Sequence, residues 1–161
     1  MEFETNGIIR QTISAAGLAT FANGISLGNE TLDTYDEGTF TATLTAATPP
    51  TTPPTVTGTY VKVGKVVTFS IYFENENTSG GVGSMKVTGL PFTSLSGVSD
   101  MGGVSFYGFV FQPNARLSTY ISSGSTEVNF LESNSNAGWT NLAITAGTAK
   151  YMHLSGTYIT A

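Results

Sequence analysis

Two β-rich runs, 56–63 and 66–73, flank the dipeptide Gly64-Lys65, and this pattern constrains the fold more than any other stretch. A Gly-X pair between such runs predicts a two-residue type II′ hairpin, because glycine adopts the positive φ that matches the strand twist. Counting outward from the turn places Tyr60 opposite Phe69 on an apolar face, while the other face becomes rich in hydroxyl groups. A one-residue slip would expose the large apolar side chains, so turn chemistry and pattern predict the same register.

The polar positions of the chain are mostly neutral. Charged residues make up 11% of the 161 residues, against about 25% in an average soluble domain. With a mean hydropathy of +0.08, this composition predicts apolar surface that is covered between subunits. The net charge is −5 and the six Lys and Arg do not cluster, so nucleic acid is not an expected partner. Because no apolar run approaches the roughly 20 residues of a membrane helix, no membrane insertion is expected.

The length suits one domain with a short appendage. The first part, residues 1–32, consists of short apolar pieces interrupted by glycines, each of which costs a helix about 1 kcal/mol. We therefore predict a fibre-like or shaft-like N-terminal β segment, in which three intertwined copies share one core. The proposed core residues are Ile13, Leu18, Phe21, Ile25 and Leu27. An extended arm on a monomer is the alternative interpretation.

The remainder, residues 33–161, is predicted to be the head domain. Strict alternation from Thr39 to Ala46 predicts a half-buried strand, whereas 29–38, with four acids in ten residues, predicts a linker. Residues 104–111 are apolar on both faces, which predicts burial across a sandwich and also against a third layer or a neighbouring subunit. The last strand, 151–160, is predicted to be locked into the sheet. With almost no helical pattern, the predicted fold is all-β: an antiparallel β-sandwich head preceded by a short intertwined trimeric β segment.

Catalytic chemistry is poorly represented in the sequence. His153 is the only histidine, and neither a cysteine nor a Gly-x-Ser-x-Gly elbow accompanies it, so no nucleophilic triad can be assembled. Two acidic groups could in principle supply glycosidase carboxylates or calcium ligands: Asp33 with Asp36 and Glu37, and Glu74 with Glu76. The spacing of a calcium loop is missing, and we interpret both groups as solvated loop acids. No catalytic residue, metal or cofactor is therefore expected, and the chain is predicted not to be an enzyme.

Sugar binding fits the composition better, because aromatic faces stack on C–H surfaces while amides and hydroxyls supply hydrogen bonds. Trp139, the only tryptophan, stands in a polar loop with Asn136 and Asn141 close by. These three residues are candidate ligand contacts, with Tyr72 and Tyr107 as further candidates. The alternative is that Trp139 caps the core and that both tyrosines pack within the sheets or between subunits.

Several short elements carry a resemblance to a known family. Within the head they are Leu-Asp-Thr-Tyr-Asp-Glu-Gly-Thr-Phe-Thr (32–41), Gly-Thr-Tyr-Val-Lys-Val-Gly-Lys (58–65), Val-Thr-Gly-Leu-Pro-Phe (87–92) and Ser-Gly-Thr-Tyr-Ile (155–159). In this order they resemble the C-terminal domains of phage and prophage tail fibres. Residues 13–25 resemble the fibre segment that leads into them. Phe40 stands where the familiar variant has Trp.

This resemblance implies a homotrimeric, non-enzymatic fibre tip on the virion that acts extracellularly, and it implies that the antiparallel β-sandwich head is jelly-roll-like. Its expected partners are the remainder of the tail fibre and a host cell-surface glycan such as lipopolysaccharide, and the chain is expected to be the C-terminal piece of a longer protein. One alternative function is a purely structural trimerisation knob. Another is a polysaccharide depolymerase with Asp36 and Glu37 as its catalytic pair, although the solenoid usual in such enzymes is several times longer than this chain.

Overall fold

The computed structural model describes residues 2–17, 19–21, 25–27, 30–32, 35–97, 100–134 and 138–161, and every regular element within them is a β-strand. The strands are Glu2–Thr5 (β1), Ile8–Ile13 (β2), Ala19–Phe21 (β3), Ile25–Leu27 (β4), Glu30–Leu32 (β5), Tyr35–Thr48 (β6), Thr55–Val63 (β7), Val66–Glu76 (β8), Val82–Thr88 (β9), Asp100–Tyr107 (β10), Arg116–Ile121 (β11), Glu127–Ser133 (β12), Thr140–Asn141 (β13) and Lys150–Ile159 (β14). No helix that could span a membrane occurs in these described ranges. The all-β prediction is confirmed.

Eight of the strands close into a ring. Their order is β11-β10-β14-β8-β7-β6-β9-β12, and β12 pairs back onto β11. The pairings around the ring are antiparallel. The result is a closed eight-stranded β-barrel, with β13 added beside β12. Because pairing is continuous around the ring, the predicted jelly-roll-like sandwich is not confirmed.

The predicted hairpin forms between β7 and β8. Tyr60 pairs with Phe69 as expected, and the register continues to the turn. Gly64 has a φ of 57° and Lys65 has no positive φ, as a type II′ turn requires of its first and second residues. The predicted apolar face is the inner one, because Phe69 and its inward neighbours on β8 are buried.

Inward side chains of the barrel strands fill the core, together with Leu142, which follows β13. The largest fully buried ones are Tyr158, Phe73, Phe130, Leu44, Ile71, Met85, Ile121, Leu142, Met152, Leu154, Val67 and Val87. Glycines make room for two of the rings that pack here. A Cβ on Gly58 would lie 2.6 Å from the Phe40 ring, and one on Gly156 would lie 2.9 Å from the Phe69 ring.

The linker prediction for 29–38 is wrong at residues 30–32, which form β5, and again from Tyr35 onward, where β6 begins. Asp36 pairs with Lys62 and Gly38 pairs with Tyr60 on β7. The strand tolerates this acidic stretch because Asp36 accepts a hydrogen bond from the Tyr60 hydroxyl at 3.0 Å. A cross-strand partner of this kind is not visible in local composition.

The prediction of one strand over 104–111 is also wrong, because β10 ends at Tyr107. Gly108, with a φ of 82°, turns the chain. Phe109 and Phe111 then pack on Phe106, with ring centroids 5.2 and 5.4 Å apart. The chain itself therefore partly buries these two rings against its core, and whether a second subunit covers the remainder stays a prediction.

The last strand is confirmed as a central one, because β14 pairs with β8 on one side and β10 on the other. Near the N-terminus, β1–β3 form one small sheet and β4 pairs with β5. Leu18 and the side chains of Phe21, Ile25 and Leu27 lie outside the described part. The shared trimeric core and the division at residue 32 therefore stay predictions.

Substitution of Gly89 by Ala should destabilise the barrel more than the same change at Gly97. Both glycines have positive φ, 95° and 84°, but a Cβ on Gly89 would lie 2.3 Å from the Thr41 carbonyl oxygen, whereas nothing lies within 4 Å at Gly97. We expect Gly97→Ala to cost about 1 kcal/mol from backbone strain alone, and Gly89→Ala to cost roughly 3 kcal/mol or more. The free energies of unfolding in urea measure both, and equal losses would contradict this account.

Tyr158 gives the barrel a pH-dependent contribution to stability. Its hydroxyl donates to the Phe92 carbonyl at 2.9 Å and accepts from the Phe92 N–H at 3.2 Å. Burial raises the pKa of Tyr158 to about 12. Since the folded state disfavours the phenolate, this contribution is complete below about pH 10 and is lost as the pH rises towards about 12.

The Tyr158→Phe variant tests this contribution. It should lose about 1–3 kcal/mol at neutral pH, because the Phe92 backbone groups lose their partner. Its stability should then fall less steeply than that of the wild type between about pH 10 and 12. Urea unfolding across this range measures both slopes, and identical slopes would show that Tyr158 is not responsible.

Candidate functional site

The outer face of β8, β14 and β10 brings four ring side chains together, which we call the aromatic quartet: Tyr72, Tyr107, Tyr151 and His153. The register produces this group, because His153 pairs with Tyr72 on β8 and Tyr151 pairs with Tyr107 on β10. Strand alternation directs all four outward, since Met152 between Tyr151 and His153 is buried in the core.

The rings of the aromatic quartet contact each other in two pairs. The centroids of Tyr72 and His153 lie 4.1 Å apart at an interplanar angle of 38°. Those of Tyr107 and Tyr151 lie 5.7 Å apart at 66°, edge to face. Tyr107 is 71% exposed and Tyr72 is 41% exposed, so aromatic surface remains available to a ligand.

A depression of about 380 Å³ adjoins the quartet. Its lining includes the serines Ser70 on β8, Ser155 on β14 and Ser105 on β10. Gly103 on β10 contributes backbone without a side chain. Gly103 is what leaves the floor open, because a Cβ there would meet nothing closer than the Ser155 Oγ at 4.0 Å.

The site carries little charge. None of the lining residues of the depression is a Lys or Arg. Burial, followed by the nearby Glu74 carboxylate and Tyr151, raises the pKa of Tyr72, so its phenol stays neutral at physiological pH. Such a surface can stack on C–H faces and exchange hydrogen bonds with hydroxyl groups, but it offers no fixed positive charge to an anion.

The structure separates the candidates predicted from the sequence. Tyr72 and Tyr107 lie in the quartet, whereas Asn141 pairs with Leu131 on β12, away from it. Trp139 immediately precedes β13 and is 78% exposed. The alternative that it caps the core is therefore wrong. Asn136 lies outside the described residues.

Sequence analysis missed Tyr151 and His153 as members of this site. Their i, i+2 spacing on a strand was visible and predicts a shared face. What the sequence did not reveal was that β14 lies between β8 and β10, the strands that carry Tyr72 and Tyr107. The sequence shows His153 only as a possible catalytic base, because its ring contact with Tyr72 depends on the pairing of β14 with β8.

The acids proposed for catalysis are arranged differently. Asp36 and Glu37 are consecutive on β6 and so point to opposite faces of the strand. Asp36 accepts from Tyr60 and Glu37 accepts from Tyr35, and these hydrogen bonds raise the pKa of each phenol. Among the described residues, no group of three or more acids or histidines is placed to hold a metal ion.

A second exposed feature, the apolar patch, lies on the outer face of β6, β7 and β8. It consists of Tyr35, Val61, Val63 and Val66, which are 62%, 41%, 44% and 41% exposed. Val63 pairs with Tyr35 on one side and with Val66 on the other, so the patch is continuous across three strands.

No protein-family model matches the chain. A search of the curated proteins likewise finds no match.

The open floor of the depression predicts different tolerance at two neighbouring glycines. Gly103→Val should fold with nearly unchanged stability, because the new Cβ meets only the Ser155 Oγ, at 4.0 Å. Gly102→Val should lose roughly 2 kcal/mol or more, since its Cβ would lie 2.6 Å from the Ser155 carbonyl oxygen. Thermal unfolding of both variants measures this difference, and a marked loss in Gly103→Val would mean that the depression is closed.

Proposed function

We propose that this chain is the receptor-binding head of a phage tail fibre and that it attaches to a glycan on the bacterial surface without catalysis. The observation that carries the proposal is the aromatic quartet beside an uncharged, serine-lined depression. Tyrosine rings supply large contact area at low entropic cost, and a polar tip on each ring. The resemblance of segments 32–41, 58–65, 87–92 and 155–159 supplies the fibre context, including the jelly-roll-like head.

The proposed assembly is a homotrimer joined to the remainder of the fibre and carried on the virion. The exposed apolar patch supports it, because contiguous apolar surface on a chain with so few charges is typical of a protein–protein interface. Three linked copies would also raise the avidity of a weak glycan site through effective concentration.

A structural trimerisation knob is the second candidate function, and the apolar patch is the observation that favours it. In that case the patch would join the subunits while another protein recognised the host. A depolymerase has less support, because consecutive strand residues such as Asp36 and Glu37 do not face one substrate together.

Tyr107→Ala should weaken attachment. Loss of one exposed stacking ring costs about 1–1.5 kcal/mol, which is roughly a tenfold loss per site. Because Tyr107 is 71% exposed, the stability of the variant should be unchanged. A glycan array and binding to whole cells of a host panel measure the effect.

Trp139→Ala is the matched control, because it removes an equally exposed ring outside the quartet. If the quartet is the site, Trp139→Ala should bind like the wild type, whereas weaker binding by Trp139→Ala with unchanged binding by Tyr107→Ala would place the site at the Trp139 loop instead. All three proteins should sediment with the mass of three chains. Absence of binding by the wild type to both array and cells would favour the structural knob. Sedimentation as a single chain would contradict the fibre-tip proposal.

A further inference from the structure

We infer that the glycan is an extended, uncharged chain that occupies a second subsite beyond the aromatic quartet. This inference rests on the proposed function and deepens it. The second subsite is the proline-loop cleft, a cavity of about 650 Å³ between residues 51–55 and residues 76–79.

Hydrogen bonds hold the walls of the proline-loop cleft together. The Thr51 N–H donates to the Ser79 carbonyl at 2.9 Å and so ties one wall to the other. Thr78 is fully buried, and its hydroxyl donates to the Thr145 carbonyl at 2.7 Å. Proline residues 53 and 54 fix φ along the remaining wall. A cleft with fixed walls binds a ligand without a large cost of ordering.

The chemistry of the lining suits a ligand with many hydroxyl groups. Glu76 supplies a carboxylate acceptor, and the hydroxyls of Thr51 and Thr55 can donate or accept. The Asn77 side-chain oxygen accepts the Ser79 N–H at 3.0 Å, which leaves its NH₂ group as a donor. One carboxylate is too few for a calcium site, which needs six to eight oxygen ligands.

A β-bulge places the cleft beside the quartet but on a different side of the strand. Between the pairs Phe73–Met152 and Glu76–Lys150, two residues of β8 oppose the single residue Tyr151. Asn75, in this bulge, has a φ of 55°, and the bulge reverses the alternation, so that Glu76 beyond it lines the proline-loop cleft. Four residues of strand separate Glu76 from Tyr72, or about 13 Å. A ligand that contacts both must be longer than a disaccharide.

The charges near both subsites are negative and would repel an anionic ligand. Glu74 lies next to the quartet, and Glu76 lines the cleft. No Lys or Arg lines either cavity. The nearest lysine along the strands, Lys150, is buried and donates to the Gly108 carbonyl. A neutral polysaccharide is therefore the class of glycan that this surface accepts.

The experiment measures the affinity of full-length protein for defined probes by calorimetry. These probes are the disaccharides and hexasaccharides of neutral glucan, mannan and galactan, together with anionic hexagalacturonate. Two variants perturb the cleft: Glu76→Gln keeps the shape and removes the charge, and Thr52→Trp fills the mouth from an exposed loop position. Tyr107→Ala perturbs the quartet, and Trp139→Ala is the control.

We expect at least one neutral hexasaccharide to bind, and to bind more tightly than its disaccharide. Thr52→Trp and Glu76→Gln should weaken hexasaccharide binding about tenfold and leave disaccharide binding unchanged, while Tyr107→Ala should weaken both. Should the cleft variants bind the hexasaccharide like the wild type while Tyr107→Ala does not, the second subsite is refuted and the proposed function stands. If no neutral hexasaccharide binds, or hexagalacturonate binds more tightly, the inference is overturned.

Discussion

The barrel depends on the position of β14, the last strand, between β8 and β10. Its pairing with β8 runs nearly the whole length of both strands, and its other edge pairs with β10, so β14 connects the β7–β8 hairpin to the later strands. Because the ring is closed, each of its eight strands has a neighbouring strand on both sides and packs one face into the core. Alternation then assigns every second side chain of β14 to the surface.

The position of the outward side chains on β14 follows from the packing of its inner face. Tyr151 and His153 have no room inside, where Met152 and Leu154 already fill the barrel, so they meet Tyr72 and Tyr107 outside. The outward positions that adjoin the four rings on these strands include Ser70, Ser105 and Ser155, which leave hydroxyl groups at the surface.

A missing side chain shapes one of the two cavities, and a β-bulge shapes the other. Gly103 removes a side chain from the outer face and opens the depression, and the bulge at Glu74 and Asn75 redirects Glu76 towards the proline loop. Gly108 ends β10 and folds Phe109 and Phe111 onto the core. At Asn75 and Gly108, where φ is positive, the chain departs from the simple alternation of its neighbours, whereas Gly103 keeps the strand register and lacks only a side chain. Each position borders a proposed ligand surface or the core that supports it.

The sequence determined the local β structure of this protein. Alternation and the Gly64-Lys65 turn predicted the β7–β8 register, and the absence of helical periodicity predicted the all-β class. Those features are short-range, so a window of a few residues contains them. The sequence did not predict that 35–38 joins β6, because that depends on pairing with β7. It also did not predict that β10 ends at Tyr107, because that depends on the packing of the following rings on Phe106.

Only the tertiary structure decided ring closure, the meeting of the four rings and the exposure of Trp139. These features depend on which strands become neighbours, and β8 and β14 are separated by more than seventy residues of sequence. Strand order is set by the combined packing of all inward side chains. No single segment carries that information, so Tyr72 and His153 could be recognised as strand residues but not as partners.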